Sequence, residues 1–582
     1  MNEQKMQYLK DNYRFFGLGS IIYGILYAVL LYKNPTSFTF PIFIAITLGV
    51  CIYVIKKFDI LIKKTSYFFM AVIQLLAIAV CLTENHKVII FNKVAIFLLL
   101  FIFMMEQMYD TKGWQVGKNI GKLFMRMINV FAYYGKPWTH LSSFCMGKEE
   151  QKNKNRKYIA IGVVISIPLV LLICVLLANA DRGFEAFFNW IFGNIVFSAD
   201  MILIIFTIIW VYSLMYSFIC SSVTTEETTA EESKKMPTVV AITFTTIIAV
   251  IYVSFCILQI SYLFNGYSDG VIYSQFAREG FFELLFVSGL NLVVVVVCIE
   301  LFEKSKALDI VLIIISACTY ILIGSSAYRM ILYVEAYNLT FLRIFVLWFL
   351  AVLAIWMTGA IIYVKKRNWN YFKFSVCVIA VSYLLFVYAN PDRIIIKYNI
   401  KYATKITAGD IDYFCLELEP KAVLAELANI EGKLEDSEKD RLEKKIKTYC
   451  RNVVQKSEEI PFREINFARR YANREAKRIV GKEVGIATYK AVSNEEVGCV
   501  ELHNEGIVYR PFGVESGSKM CGLEIGIATD DSTIYELKGY DSDEWIFSYY
   551  ETFMGGDSGF IYKAVGVDIP EELEIYRMYN EE

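Results

Sequence analysis

The sequence predicts an all-α polytopic membrane bundle of about eleven transmembrane helices, followed by a soluble α+β region at the C-terminal end. Three observations carry this. Of the 582 residues, 56% are hydrophobic and only 20% charged, too apolar for a string of ordinary water-soluble domains. The apolar residues fall in runs of the length needed to cross ~30 Å of hydrocarbon at ~1.5 Å per helical residue. Charge is distributed unevenly: residues 1–389 hold 32 Lys/Arg against 22 Asp/Glu, residues 390–481 hold 19 against 16, and residues 482–582 hold 7 against 21. Three domains are expected from this: a bundle over 1–389, a helical stalk over 390–481 and an acidic β-rich module over 482–582.

Taken in order, the spans fall near 15–32, 38–55, 67–82, 89–105, 158–179, 196–219, 238–264, 281–302, 307–327, 342–364 and 372–389. Asn92 and Lys93 interrupt the fourth, and the third is short at its polar edges. Lys5, Lys10 and Arg14 precede the first span without a small-residue cleavage site, which reads as a signal anchor. Lys and Arg near span ends favour the cytoplasm, and they gather in alternate loops. One set contains the N-terminus, Lys56 to Lys64, ten basic residues from Lys112 to Lys157, Lys234/Lys235, Lys304/Lys306 and Lys365 to Lys373; the other holds Lys33, Lys87, Arg182, Arg278 and Arg329, with Arg343 at a span edge. The N-terminus is therefore expected inside, and an odd span count puts the C-terminal region outside.

Within the loop after the fourth span, Val116, Ile120, Leu123, Met127 and Phe131 form one stripe of a helix, with Lys118, Lys122 and Arg126 on the other side. That suits a helix lying on an anionic leaflet, or one packed on neighbouring spans. Beyond residue 389, Pro420 and Pro461 stand at first-turn positions before apolar periodic residues, and 437–455 reads as a charged helix. From 482 onward the runs GIATYKAV, CVELH, GIVYRPF, LEIGIAT and STIYELKG alternate between Gly, Asn and Asp breaks, the signal of antiparallel strands.

Several chemistries are excluded. Nine of the thirteen cysteines lie in or near apolar spans, none forms a CxxC pair, and the three histidines (His86, His140, His503) are isolated, so neither a metal site nor a cofactor is expected. Pairing among Cys415, Cys450, Cys499 and Cys521 is left open. No phosphate-binding glycine loop occurs, and no basic stripe with interleaved aromatics points to nucleic acid. Gly556-Asp557-Ser558-Gly559 resembles a serine-protease nucleophile strand but lacks a second barrel and a supported base, so it reads as a turn. Asp541, Asp543 and Glu544 lack calcium-loop spacing.

Charge near hydrocarbon is expensive and is retained for pairing or function. The outer ends of the later spans gather Asp181, Asp200, Arg278, Glu279, Glu283, Arg329, Glu335 and Arg343, with Asp392 and Arg393 after the last span. Two readings stand: helix-end salt bridges that fix packing, or an outward-open polar pocket. Mid-span there are only the amides Gln74, Gln259 and Asn291, too few for an ion path.

The stretches ANADRGFEAFF at 178–188, YSQFAREGFFELL at 273–285, YRMILYVEAYNLTFLRIFVLWF at 328–349 and NPDRIIIKYNI at 390–400, followed by DYFCLELEPKAVLAEL, resemble the bacterial multi-spanning family known as domain of unknown function 4173, related to 4153. The resemblance covers residues 158–430 and departs at Arg182, where the family has proline, and at Asn338, where it favours glycine. It implies architecture and residence in the bacterial inner membrane, without an activity. The expectation is a non-enzymatic envelope sensor or regulator, embedded in the lipid bilayer, whose outer region binds an extracytoplasmic ligand or protein. The alternatives are a transporter of a small solute or lipid headgroup, and an enzyme acting on a lipid-linked substrate.

Overall fold

The computed structural model describes residues 2–109, 111, 114–146, 162, 199–224, 235–265, 281–403, 405–434, 439–456, 461–480, 487–494, 499–504, 506–516, 518–530, 532–550 and 558–578. They form two compact units: one of residues 1–80, 90–337 and 345–388, the other of 81–89, 338–344 and 389–582.

The first unit is helical, with the first turns of α5 and α12 belonging to the second: α1 (Asn2–Asp11), α2 (Tyr13–Leu31), α3 (Thr39–Lys57), α4 (Lys64–Val80), α5 (His86–Met108), α6 (Val116–Ala132), α7 (Lys136–Met146), α8 (Ala199–Val223), α9 (Thr238–Asn265), α10 (Phe281–Leu301), α11 (Lys306–Tyr337), α12 (Phe341–Lys365) and α13 (Tyr371–Tyr388). Nine helices among the described residues are long and apolar enough to cross a membrane, and α4 is a shorter apolar helix. The expected span at 158–179 lies, apart from residue 162, outside the described residues.

The polar interruption of the fourth span has a structural reason. Asn92 is fully buried in α5 and its Oδ1 accepts the Tyr383 hydroxyl of α13 at 2.8 Å, while the Lys93 ammonium lies 5.7 Å from the Phe40 ring. Helix α11 is longer than the expected span, at 32 residues and so about 48 Å, and its chain turns at Asn338 with φ +64°. A left-handed backbone there favours glycine and admits asparagine, which accounts for the departure seen in the sequence. Helices α2 and α8 approach closely because Gly24 has no side chain; a Cβ there would stand 2.7 Å from the Ile208 carbonyl oxygen.

Helix α6 is turned differently from the sequence reading. Arg126, expected on the outward basic side, is only 4% exposed; it donates to the Ser222 carbonyl at 3.1 Å and stacks over Tyr109. Ile120, Phe124, Ile128 and Phe131 are exposed instead. The start of α6 is capped from α10: the Glu300 carboxylate accepts the Val116 and Gly117 backbone N–H groups, where a negative charge complements the helix dipole.

The second unit contains α14 (Pro391–Tyr402), α15 (Ala408–Glu417), α16 (Pro420–Ala425), α17 (Leu427–Glu431), α18 (Lys439–Gln455) and α19 (Phe467–Val480), then seven strands: β1 (Ala487–Asn494), β2 (Cys499–Asn504), β3 (Ile507–Ser516), β4 (Cys521–Ala528), β5 (Thr533–Leu537), β6 (Trp545–Tyr550) and β7 (Ser558–Ala564). The strands close into a barrel in the order β1-β2-β3-β7-β6-β5-β4. All pairings are antiparallel, as expected, except the closing pair β1–β4, which is parallel with Ala487 opposite Gly526. A proline inside a paired strand lacks the N–H that the ladder needs. Strand β3 accommodates Pro511 because the β3–β7 register shifts between Pro511 and Gly513, a bulge that tolerates the missing donor.

Strand β6 escapes a period-two reading because both its faces are covered. Ile546 belongs to a core with Tyr489, Leu502, Tyr509 and Ile534, while Trp545 and Phe547 belong to another with Phe512, Leu537, Ile561 and Leu573. Ser558 and Gly559 of the protease-like motif open β7, and Gly559 lies directly under the Phe547 ring. Gly556 and Asp557 lie outside the described residues. The cysteines left open by the sequence, at 415, 450, 499 and 521, are all free thiols.

The barrel's acidity is partly used inside its own unit. From α18, Lys444 pairs with Asp543 at 2.6 Å, and Lys445 pairs with Asp412 of α15 and, at 3.2 Å, with Glu536 of β5. Just beyond α18, Lys456 reaches Glu524 of β4 at 3.4 Å. Lys445, Asp412 and Glu536 have nearly buried side chains. Burial opposes charge on Lys445, yet Glu536 and Asp412 outweigh it and hold the ammonium above its ordinary range.

Candidate functional site

The best-built polar site is in the second unit, at the first turn of α14. Asn390 adopts a left-handed conformation, φ +53°, and its side chain caps the helix by accepting the Arg393 N–H at 3.1 Å; Pro391 follows at a position where a missing N–H costs nothing. This places Asp392 in the first turn with its carboxylate turned inward, 1% exposed. Asn85 donates its side-chain amide to both carboxylate oxygens, at 2.7 and 2.9 Å, and the Glu419 backbone N–H reaches Oδ2 at 2.9 Å. Burial, and then the neighbouring Glu419 charge, push the Asp392 carboxyl up to about 6, against the downward pull of its hydrogen bonds and Lys87.

Glu419 is the second member. It is 3% exposed; Oε1 accepts the Asn390 amide at 2.8 Å, and Oε2 accepts the Thr83 hydroxyl at 2.6 Å and the Glu84 backbone N–H at 3.0 Å. Further contacts hold the same 81–89 segment: Phe467 N–H to the Cys81 carbonyl at 2.9 Å, Lys421 to the Leu82 carbonyl at 3.1 Å, Asn466 to the Thr83 carbonyl at 3.1 Å, and Arg469 with Glu84 at 2.7 Å. The 338–344 segment is held in the same way. Asn399 of α14 exchanges two hydrogen bonds with the Leu339 backbone, at 2.8 and 2.9 Å, and Asn338 donates to Asp410 at 3.3 Å. Burial raises Glu426, but Arg393, Asn429 and Lys397 outweigh it and hold that carboxyl below its ordinary range.

Chemically this is a clamp. Its carboxylates accept hydrogen bonds from backbone, amide and hydroxyl donors, and the described residues contain no group of His, Cys, Asp and Glu suited to a metal ion. Its member that titrates toward neutral pH is Asp392.

The residues singled out at the outer span ends are placed as follows. Asp200 pairs with Lys33 at 2.7 Å, both well exposed. Arg329 is buried in α11 and donates to Gln259, which also accepts Ser325 at 2.8 Å. Glu283 and Glu335 are exposed on α10 and α11. Arg343 belongs to the second unit, where it donates to the Asn338 carbonyl. Asp181, Arg278 and Glu279 lie outside the described residues.

Sequence reasoning passed over Asn85 and Glu419. Glu419 stands immediately before the helix-starting Pro420, a weak signal; a lone asparagine in a short linker gives none. It also passed over Glu106, which receives Lys373 at 2.8 Å and Thr111 at 2.7 Å, and the pair Asp309–Arg367 at 3.3 Å.

A family model described as Domain of unknown function (DUF4153) matches residues 70–428, which takes in the two linker segments, Asp392 and Glu419 but stops short of the barrel. No curated protein and no solved structure matches the chain. The matching family is the relative of 4173, not 4173 itself, and because the match spans more than half of the chain, this protein belongs to the DUF4153 family.

Proposed function

We propose that the protein is a non-enzymatic sensor or regulator of the bacterial cell envelope, set in the cytoplasmic membrane with its N-terminus inside and its second unit outside. One observation carries the reading: the second unit includes two short linkers, 81–89 and 338–344, fastened by buried carboxylates and amides. In the chain these linkers join α4 to α5 and α11 to α12. A ligand or protein that changes the state of the second unit therefore acts on residues contiguous with four membrane helices. A ligand biases such an equilibrium only by its differential affinity for two states, and the Asp392–Glu419 clamp is the element we assign to distinguish them.

The topology is consistent with this. In an alternating chain, the two linkers and residue 389 share one side only if even numbers of crossings separate them, and the eleven-span reading meets that condition. Reporter fusions after Glu582 test the placement: alkaline phosphatase activity is expected, and fluorescence of a cytoplasmic reporter without phosphatase activity overturns it. For the regulatory role, a deletion strain is complemented with the full chain or with a chain lacking 482–582, with membrane levels of both measured. Full complementation by the shortened chain sinks the sensor reading.

A further inference from the structure

We propose that the first unit carries a binding site for a phosphate-bearing ligand, between α1 and α7, at the end of the bundle that the positive residues assign to the cytoplasm. This does not rest on the sensor reading. A widely open surface groove of about 840 Å³ lies there. Its charge favours an anion. Lys10 of α1 and Lys136 of α7 line it from opposite helices and Gln4 adds an amide donor, while the Thr139 and Ser143 hydroxyls donate to the Lys136 and Thr139 carbonyls. The single carboxylate in the lining, Asp11, already accepts the Gln7 amide at 2.8 Å. Two lysines acting as point charges, with the Gln4 amide between them, suit the several acceptor oxygens of a phosphate.

The floor is built rather than incidental. His140 is 6% exposed and its Nδ1 hydrogen-bonds the Tyr216 hydroxyl of α8 at 2.7 Å. Beside it, the Tyr13 and Tyr212 hydroxyls are 2.7 Å apart, and Tyr212 also donates to the Pro137 carbonyl at 3.2 Å. Tyr13 and Tyr216 are fully buried, and their ring centroids are 5.7 Å apart. These contacts fix α7 on α8 and on the start of α2, so the α7 wall of the groove is anchored. The phosphate could belong to a cytoplasmic solute or to an anionic lipid headgroup, and the two sources are separable.

The full-length protein in zwitterionic nanodiscs is titrated with inorganic phosphate and with glycerol phosphate, following tryptophan emission, since Trp138 of α7 packs 5.4 Å from Tyr212. In a second arm, phosphatidylglycerol is added to the nanodiscs and retained lipid is counted by native mass spectrometry. Saturable binding in the first arm identifies a solute site, and retention of one or two anionic lipids identifies a headgroup site. In either case, Lys10→Gln and Lys136→Gln are each expected to weaken binding at least tenfold, with Lys118→Gln on α6 as the unaffected control. Absence of binding in both arms, or binding that both lining variants leave unchanged, overturns the proposal.

Discussion

The two units bury polarity in opposite ways. Within the bundle, the mid-helix contacts Asn92 with Tyr383, Asn291 with Thr319 at 2.9 Å and Ser325 with Gln259 join neutral groups, and the buried charges Arg126, Glu300 and Arg329 meet backbone or amide groups. Ion pairs of the first unit sit at helix ends, as in Glu106–Lys373 and Asp309–Arg367. In the second unit whole carboxylates go inside, among them Asp392, Glu419, Glu426 and Glu536. The difference follows from the solvent. A charge facing hydrocarbon has neither water nor counter-ion within reach, whereas a folded unit in water can surround a carboxylate with backbone N–H groups, amides and lysines. Such a site is strongly specified and costly to leave incomplete.

The comparison breaks first, if anywhere, at Lys445. Replacing it by alanine leaves Asp412 and Glu536 buried against each other, and we expect about 3–5 kcal/mol of lost stability in the second unit, read as a lowered denaturation midpoint. A loss below about 1 kcal/mol would show that these charges are effectively solvated.

Next is Asp392, whose folded carboxyl is raised to about 6 from an ordinary 3.8. Because the folded state holds the proton more tightly, this group favours folding fully below the unfolded value, and that contribution is lost as pH rises from about 4 to 6. The swing is on the order of 3 kcal/mol. Measured as the wild-type minus Asp392→Asn difference in stability of the full protein, it should fall across that window and be flat above pH 7. The amide introduced by Asp392→Asn has one acceptor oxygen for donors that used two, so hydrogen exchange in 81–89 should also speed up at every pH. A pH-independent difference would remove Asp392 as the titrating member of the clamp.

In the bundle, close packing rather than charge is the sensitive feature. Gly24→Leu must push α2 from α8, with an expected loss of about 1–3 kcal/mol, visible as a lower melting temperature in nanodiscs. Asn92→Leu should be the mildest change, about 1 kcal/mol, since it removes one neutral hydrogen bond to Tyr383. A loss as large as that at Lys445 would erase the contrast between the units.

Much of the architecture was legible because it follows from local chemistry. Apolar run length marks the spans, Pro420 starts α16, and alternation marks β1 to β5. Strand β6 was hidden because Trp545, Ile546 and Phe547 are covered on both faces, which removes the period on which strand reading depends. Helix α6 was recognised, but the direction of Arg126 was not, since periodicity gives a face without saying what the face meets. The acidic excess of 482–582 was plain, yet its use was not: Asp543, Glu536 and Glu524 receive lysines from α18 and its end.

The clamp marks the same boundary. By itself the sequence determined that Asp392 and Arg393 follow the last span, at the head of a region read as helical, because run length and charge are local; that Asn390 caps α14 was seen in the structure. That Asn85, some three hundred positions earlier, donates to that carboxylate, and that Glu419 crowds it, was decided only by tertiary structure. The burial that raises Asp392 is a property of what surrounds it, and the surroundings come from segments whose meeting no local spacing encodes.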